Sequence, residues 1–168
     1  MQEYYFQNGE ELKKFKTSFL PEEDYLGYRG NFVRVCHDAF ILYGGKILLF
    51  KRNNEPEKGE FWPIGGGVLR GRDIENSLKE KVMDECGLEI KIKKLLGINR
   101  LLIGSSESLK RGSDDIVFTY LVEGYGKMVL NSDNKEPLFL YKNNCSLIKP
   151  KLNMYVAENV KKILEFIL

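Results

Sequence analysis

The sequence predicts an α/β (α+β) fold, an α/β/α sandwich around a mixed β-sheet. Three observations carry this. Strand-like runs come in groups, two substantial helical patterns fall between and after them, and 168 residues suit one domain with a sizeable core. A doubly wound parallel sheet would instead alternate strand and helix along the chain.

Residues 1–30 read as an N-terminal helical arm and residues 31–168 as the domain itself. Within the arm, residues 9–19 form a short charged helical pattern and Pro21 opens a turn. Residues 32–43 read as a long strand, Gly44-Gly45 as a hairpin signal, and residues 46–52 as the return strand. A polar loop (53–60) leads into a Gly-rich stretch (61–71). A helix is expected from Asp73 to Cys86. Asp73 is its N-cap, Ile74, Leu78 and Val82 form its apolar stripe, and Gly87 stands where a left-handed cap belongs. Leu88, Ile90 and Ile92 alternate with Glu89, Lys91 and Lys93, the pattern of a half-buried strand whose wet face carries the lysines. A polar loop (104–113) precedes a β-prone run (116–122), and residues 128–130 and 138–141 read as weaker strands. The chain closes on an amphipathic helix capped by Asn153, with Val156, Val160, Ile163, Leu164 and Ile167 on one face.

Composition excludes several functions. With 26 basic and 24 acidic residues the net charge is +2, which does not suggest nonspecific nucleic-acid binding, a function that would leave a basic stripe. No run approaches the ~18 consecutive apolar residues of a membrane span, and Met1 to Glu10 is polar and aromatic, unlike a signal peptide. Cys36, Cys86 and Cys145 are odd in number and far apart, which fits reduced thiols in a cytoplasmic protein better than disulfides or zinc.

The chemistry concentrates in Gly65-Gly66-Gly67-Val68-Leu69-Arg70-Gly71-Arg72 and in the helix ending Glu80-Lys81-Val82-Met83-Asp84-Glu85-Cys86-Gly87-Leu88. A glycine loop leaves backbone groups bare, so that a phosphate or metal can approach closely. Helical spacing puts Lys81, Asp84 and Glu85 on one face, where carboxylates offer hard oxygen ligands suited to Mg2+.

This stretch resembles the Nudix box, G-x5-E-x7-R-E-U-x-E-E-x-G-U, where U is a bulky aliphatic residue. Counted back from Gly87-Leu88, the first glycine falls on Gly66, the aliphatic position on Val82 and the last two carboxylates on Asp84 and Glu85, without a gap over 23 residues. Phe61-Trp62-Pro63 resembles the usual approach, and the likeness extends from about residue 32 to the C-terminus. Three positions depart from the pattern. Arg72 replaces the first Glu and Glu80 replaces the Arg, so the ion pair that braces loop against helix in the family is expected here with its signs exchanged. Lys81 replaces a carboxylate that the family uses as metal ligand or base. An ammonium repels Mg2+, and it is expected either to pair with Asp84 or Glu85 or to hold a substrate phosphate.

There is also a faint likeness to the GDP-mannose mannosyl hydrolase branch, which keeps the last Glu of the box and one metal bound with help from a glycine carbonyl. Gly112-Ser113-Asp114 and the strand after it share in this likeness. The chain departs from that branch at Gly67, where the branch has Arg, and in lacking a late-loop histidine: His37 is the only histidine, and residues 134–136 are the closest positions.

The resemblance implies hydrolysis of a nucleoside diphosphate linked to another group, such as a nucleotide sugar or ADP-ribose, by attack of water. Mg2+ is the implied cofactor, with Mn2+ as the alternative. The expected metal ligands are Glu85, Asp84 and the Gly66 carbonyl. Glu85 and Glu136 are the catalytic candidates, with Glu107, Asp114 and Asp115 as further late-loop carboxylates. Arg52 and Lys81 are expected to hold the diphosphate and Trp62 to stack on a base, although Trp62 also suits a packing anchor and Arg52 an ordinary strand end. His37, among apolar neighbours, fits a hydrogen-bonded structural histidine. Tyr4, Tyr5 and Phe6 admit a homodimer or a covered apolar patch. Two other classes stay open: a nucleotide-binding module in which Lys81 takes the cation's place, and an interaction domain on the same fold.

Overall fold

The computed structural model describes residues 20–55, 57–141, 144 and 151–167. The expectations for residues 9–19, for Tyr4, Tyr5 and Phe6, and for Cys145 lie outside these. The elements are α1 (Glu22–Asn31), β1 (Val33–Tyr43), β2 (Lys46–Arg52), β3 (Phe61–Trp62), β4 (Ile64–Gly67), α2 (Ile74–Cys86), β5 (Glu89–Ile103), β6 (Ser113–Tyr125), β7 (Asn134–Leu140) and α3 (Met154–Phe166).

The sheet is mixed, as the grouping of strands predicts. Its order is β3-β2-β1-β6-β5, with β4 paired to β1 and β7 to β2. Among the described residues only the β1–β6 pairing is parallel; the others are antiparallel. Period-2 alternation sorts β1 and β2 between two cores. Ala39, Ile41, Leu48 and Phe50 pack against Leu78, Val82 and Cys86 of α2. Phe40, Ile47 and Leu49 pack against Tyr155, Val156, Val160 and Ile163 of α3. Helices thus cover both faces, completing the sandwich. Among the described residues no helix is long and apolar enough to cross a membrane.

Helix α2 starts and stops where its sequence says it should. The Asp73 side chain accepts from the Asn76 N–H, and Gly87 closes the helix in the left-handed region at φ 69°. Asn153 caps α3 by accepting from the Tyr155 N–H.

Three expectations shift. The segment 128–130 is not a strand, because its amides turn to the end of α2: Val129 N–H donates to the Cys86 carbonyl and Asn131 N–H to that of Glu85. Strand β5 runs to 15 residues through two register shifts against β6, further than its clean alternation. Pro21 opens a full helix rather than a turn; Gly27 and Gly30 obscure it in the sequence.

The exchanged brace is present: Arg72 Nε donates to Glu80 Oε1 at 2.8 Å, with both side chains nearly half exposed. An exposed pair contributes ~0.2–1 kcal/mol, whereas truncating a buried leucine such as Leu78 costs about 2–5 kcal/mol. Packing therefore holds α2, and the brace sets the loop ahead of it. A double-mutant cycle on Arg72→Ala and Glu80→Ala is expected to give a favourable coupling of about 0.5 kcal/mol, largely recovered in Arg72→Glu with Glu80→Arg. A repulsive coupling, or no recovery on exchange, would contradict the brace.

Candidate active site

Strand β4 lays its glycines along β1, with Gly67 opposite Cys36, Gly66 opposite His37 and Gly65 opposite Asp38. Glycine is required at 65: a Cβ there would run into the Asp38 carboxylate and the His37 carbonyl. At Gly66, whose φ is 152°, a Cβ would stand 3.3 Å from Cε of Lys81, so the lysine stem lies directly over bare backbone. This glycine ribbon forms one wall of a cavity of about 370 Å3, which also draws on Arg52, Trp62, Lys81, Glu85 and Asn134.

Lys81 and Glu85 are one helical turn apart on α2, and their charged groups meet at 2.5 Å. Glu85 is buried, and its second oxygen accepts from Asn134 Nδ2 at 2.8 Å. The carboxylate is thus held from both sides, by an ammonium from its own helix and by an amide at the start of β7.

The structure brings together Arg52, Trp62, Gly66, Lys81 and Glu85 on this cavity, and leaves two expected residues outside its lining. Asp84 is exposed on α2. Glu136 is exposed and paired with Lys51 at 3.0 Å. Among the remaining carboxylates, Asp114 is bonded by Arg100 and Asp115 by Arg34, while Glu107 is exposed. Trp62 is buried with its ring 5.5 Å from that of Tyr155, so it packs while its edge lines the cavity.

Asp38 was not legible as a site residue. It lies buried on the cavity wall at the end of a relay: Asn99 Nδ2 donates to Thr119 Oγ1, the Thr119 hydroxyl to Tyr155, and the Tyr155 O–H to Asp38 at 2.8 Å. Burial pushes the Asp38 carboxyl up to about 7, although Tyr155 and the charge of Arg52 pull the other way. His37 is fully buried with Nε2 2.7 Å from Ser77 Oγ, which also accepts from the Leu69 N–H. Burial, with a smaller push from Lys81, brings His37 down to about 4, which keeps the imidazole beside Ser77 neutral. His37 is the structural histidine its neighbours suggest, tying β1 to α2 and to the loop between β4 and α2. The signal for the missed residues was present: Arg34, His37 and Asp38 are the polar positions of a strand made otherwise of apolar residues.

Among the described residues, no group of three or more His, Cys, Asp or Glu side chains is gathered as a metal site.

No family model matches the chain. Over 134 residues it is 34% identical to an ADP-ribose pyrophosphatase of Methanocaldococcus jannaschii, covering 79% of this chain and 76% of that protein. Two solved structures share the fold. The MutT protein from Methanosarcina mazei Go1 superposes with a TM-score of 0.64 at 15% identity, covering 77% of this chain and 91% of that one. The Nudix domain of Shewanella oneidensis NrtR, complexed with ADP ribose, does so with 0.56 at 15% identity, covering 86% and 99%.

Asp38 and His37 shift in opposite directions, which fixes a pH test. Between pH 4 and 6.5 the unfolded chain takes a proton on its histidine that the fold refuses, so this contribution to stability falls on acidification. Over the same range folded Asp38 keeps a proton that the unfolded chain releases, so its contribution rises on acidification. The two nearly cancel. In Asp38→Asn the histidine acts alone, and urea unfolding is expected to show a stability loss from pH 6.5 to 4 about 3 kcal/mol greater than in the parent, at ~1.4 kcal/mol per pKa unit. Parallel pH profiles would contradict these environments.

Proposed function

The chain belongs to the Nudix hydrolase family, and from that premise we propose that it binds a nucleoside diphosphate joined to a second group and hydrolyses it by attack of water. The observation that carries this reading is the meeting of the glycine ribbon, Lys81, Glu85 and Arg52 on one cavity. A diphosphate needs cations and bare amides at short range, and this wall supplies both. Lys81 acts as a point charge over Gly66, and Arg52 offers a planar fork. Trp62, Leu101 and Val117 give the cavity an apolar side against which a sugar or base can rest. ADP-ribose is the first substrate to test, because the Methanocaldococcus relative is named for it and the Shewanella domain is complexed with it.

The family resemblance implies Mg2+ or Mn2+, and the donor set tests this. Glu85 is a single buried carboxylate already engaged by Lys81 and Asn134, and Asp84 stands outside the cavity. As arranged, these residues do not fit a resident divalent ion; the cation beside Glu85 is the protein's own ammonium. The group placed to exchange a proton is Asp38. Buried on the cavity wall and titrating near 7, it suits a general base at neutral pH. Water loses its proton to Asp38 as its oxygen bonds to phosphorus, and the bridging P–O bond breaks with its electron pair going to the leaving phosphate. Glu136, held by Lys51 away from the cavity, is a weaker candidate for this step.

One observation favours a second reading, a nucleotide-binding module without turnover: Lys81 is bonded to the carboxylate that a metal would use. Product analysis separates the two. Incubation with ADP-ribose, with and without Mg2+ or Mn2+, is expected to yield AMP and a ribose phosphate, and Asp38→Asn is expected to lower kcat about 100-fold or more with little change in KM. Binding of ADP-ribose with no product under any of these conditions would establish the binding module. Undiminished turnover by Asp38→Asn would remove Asp38 from the chemistry.

A further inference from the structure

The cavity continues along β1 past Cys36, the partner of Gly67. There α1 brings Tyr25 and Arg29 against Arg34 of β1 and Asp115 of β6, and all four side chains line the same cavity as Gly66 and Lys81. Arg34 commits three of its five N–H donors within the protein. Its Nε and Nη2 each donate to Asp115 at 2.7 Å, and its Nη1 donates to the Tyr25 hydroxyl at 2.8 Å. Asp115 also accepts from Ser113 Oγ at 3.3 Å, so this carboxylate is engaged chiefly by Arg34.

Arg29 is left over. It is 9% exposed, its Nη2 reaches Ser113 Oγ only at 3.4 Å, and its Nε is buried with no hydrogen-bond partner among the described residues. Its guanidinium sits 5.8 Å from the centre of the Tyr25 ring. Burial and then the charge of Arg34 both work against its protonation, yet a guanidinium does not give up its proton in a protein. Two buried guanidiniums therefore face one carboxylate. An unmatched buried charge is costly, and a counter-charge brought by a ligand would offset it. The other acids on the cavity lie elsewhere: Glu55 and Glu57 on the loop between β2 and β3, Asp133 ahead of β7, Asp38 beside Gly65, and Glu85 paired with Lys81.

We propose that Arg29, with Arg34 and Tyr25, forms a second anion subsite that takes a phosphate or carboxylate carried on the group beyond the diphosphate. The proposal rests on the reading that the diphosphate lies at the glycine-ribbon end. It makes α1 part of the binding site and makes the preferred ligand anionic at its far end as well as at its centre. The alternative is that Arg29 merely anchors α1 to β6.

The test compares ADP-ribose with its analogue bearing a phosphate on the ribose distal to adenosine, by calorimetry, in the full-length parent and in Arg29→Met. The parent is expected to bind the phosphorylated analogue about tenfold more tightly, the size of one charge-assisted hydrogen bond. In Arg29→Met that preference should fall to within about twofold while ADP-ribose affinity is kept, and Arg29→Lys, which keeps the charge, should retain part of it. Without ligand, Arg29→Met should unfold at the same temperature as the parent or a higher one, since it removes an unmatched charge; a mere anchor would lose stability. ADP-ribose binding without a phosphate preference, or a preference that survives in Arg29→Met, would overturn the subsite alone. Failure of both nucleotides to bind would overturn the diphosphate site and the subsite with it.

Discussion

The bond between Lys81 and Glu85, 2.5 Å across one helical turn, sets the character of this site. It lies over Gly66, where the absence of a side chain lets the lysine stem settle on backbone. Burying Glu85 alone would be costly. The ammonium and the Asn134 amide offset that cost, and in doing so they tie α2 to β7. The same helix is held to β1 through Ser77 and His37. One face of α2 thus joins the glycine ribbon, the central strand and the late strand, and the cavity lies where they meet.

The second constraint is the polar side of β1. Arg34 and Asp38 share a strand face with Phe40, yet each has a partner drawn from far along the chain: Asp115 of β6 for Arg34, and Tyr155 of α3 for Asp38. The parallel β1–β6 pairing supplies the first, since Arg34 stands opposite Asp115 in register. The capped start of α3 supplies the second. Packing of the sheet against α3 therefore does two things at once: it closes a core and it aims a phenol at a carboxyl on the cavity wall.

Much of this was legible in the sequence, because it is local. Asp73 and Gly87 mark the ends of α2, the alternation of residues 88–93 marks the start of β5, and the spacing from Gly66 to Leu88 marks both the box and the Arg72–Glu80 exchange. What was not legible depends on distant pairing. Asn134 meets Glu85 only because β7 lies beside β2, and Arg29 reaches the cavity only because α1 folds onto β6. Asp84 shares a helix face with Glu85 by spacing, but the cavity takes only one side of that face. Periodicity gives the face and not its boundary.

In the function proposed above, Lys81 is the internal counterpart of a cation that would otherwise come from solution. Calorimetric titration of ADP-ribose in EDTA and in Mg2+, on the parent and on Lys81→Met, tests that most directly. The parent should bind with affinities within about threefold in the two buffers, and Lys81→Met should lose about tenfold or more in EDTA, the loss of one charged contact to phosphate. Binding that appears only with Mg2+ and is untouched in Lys81→Met would contradict the account.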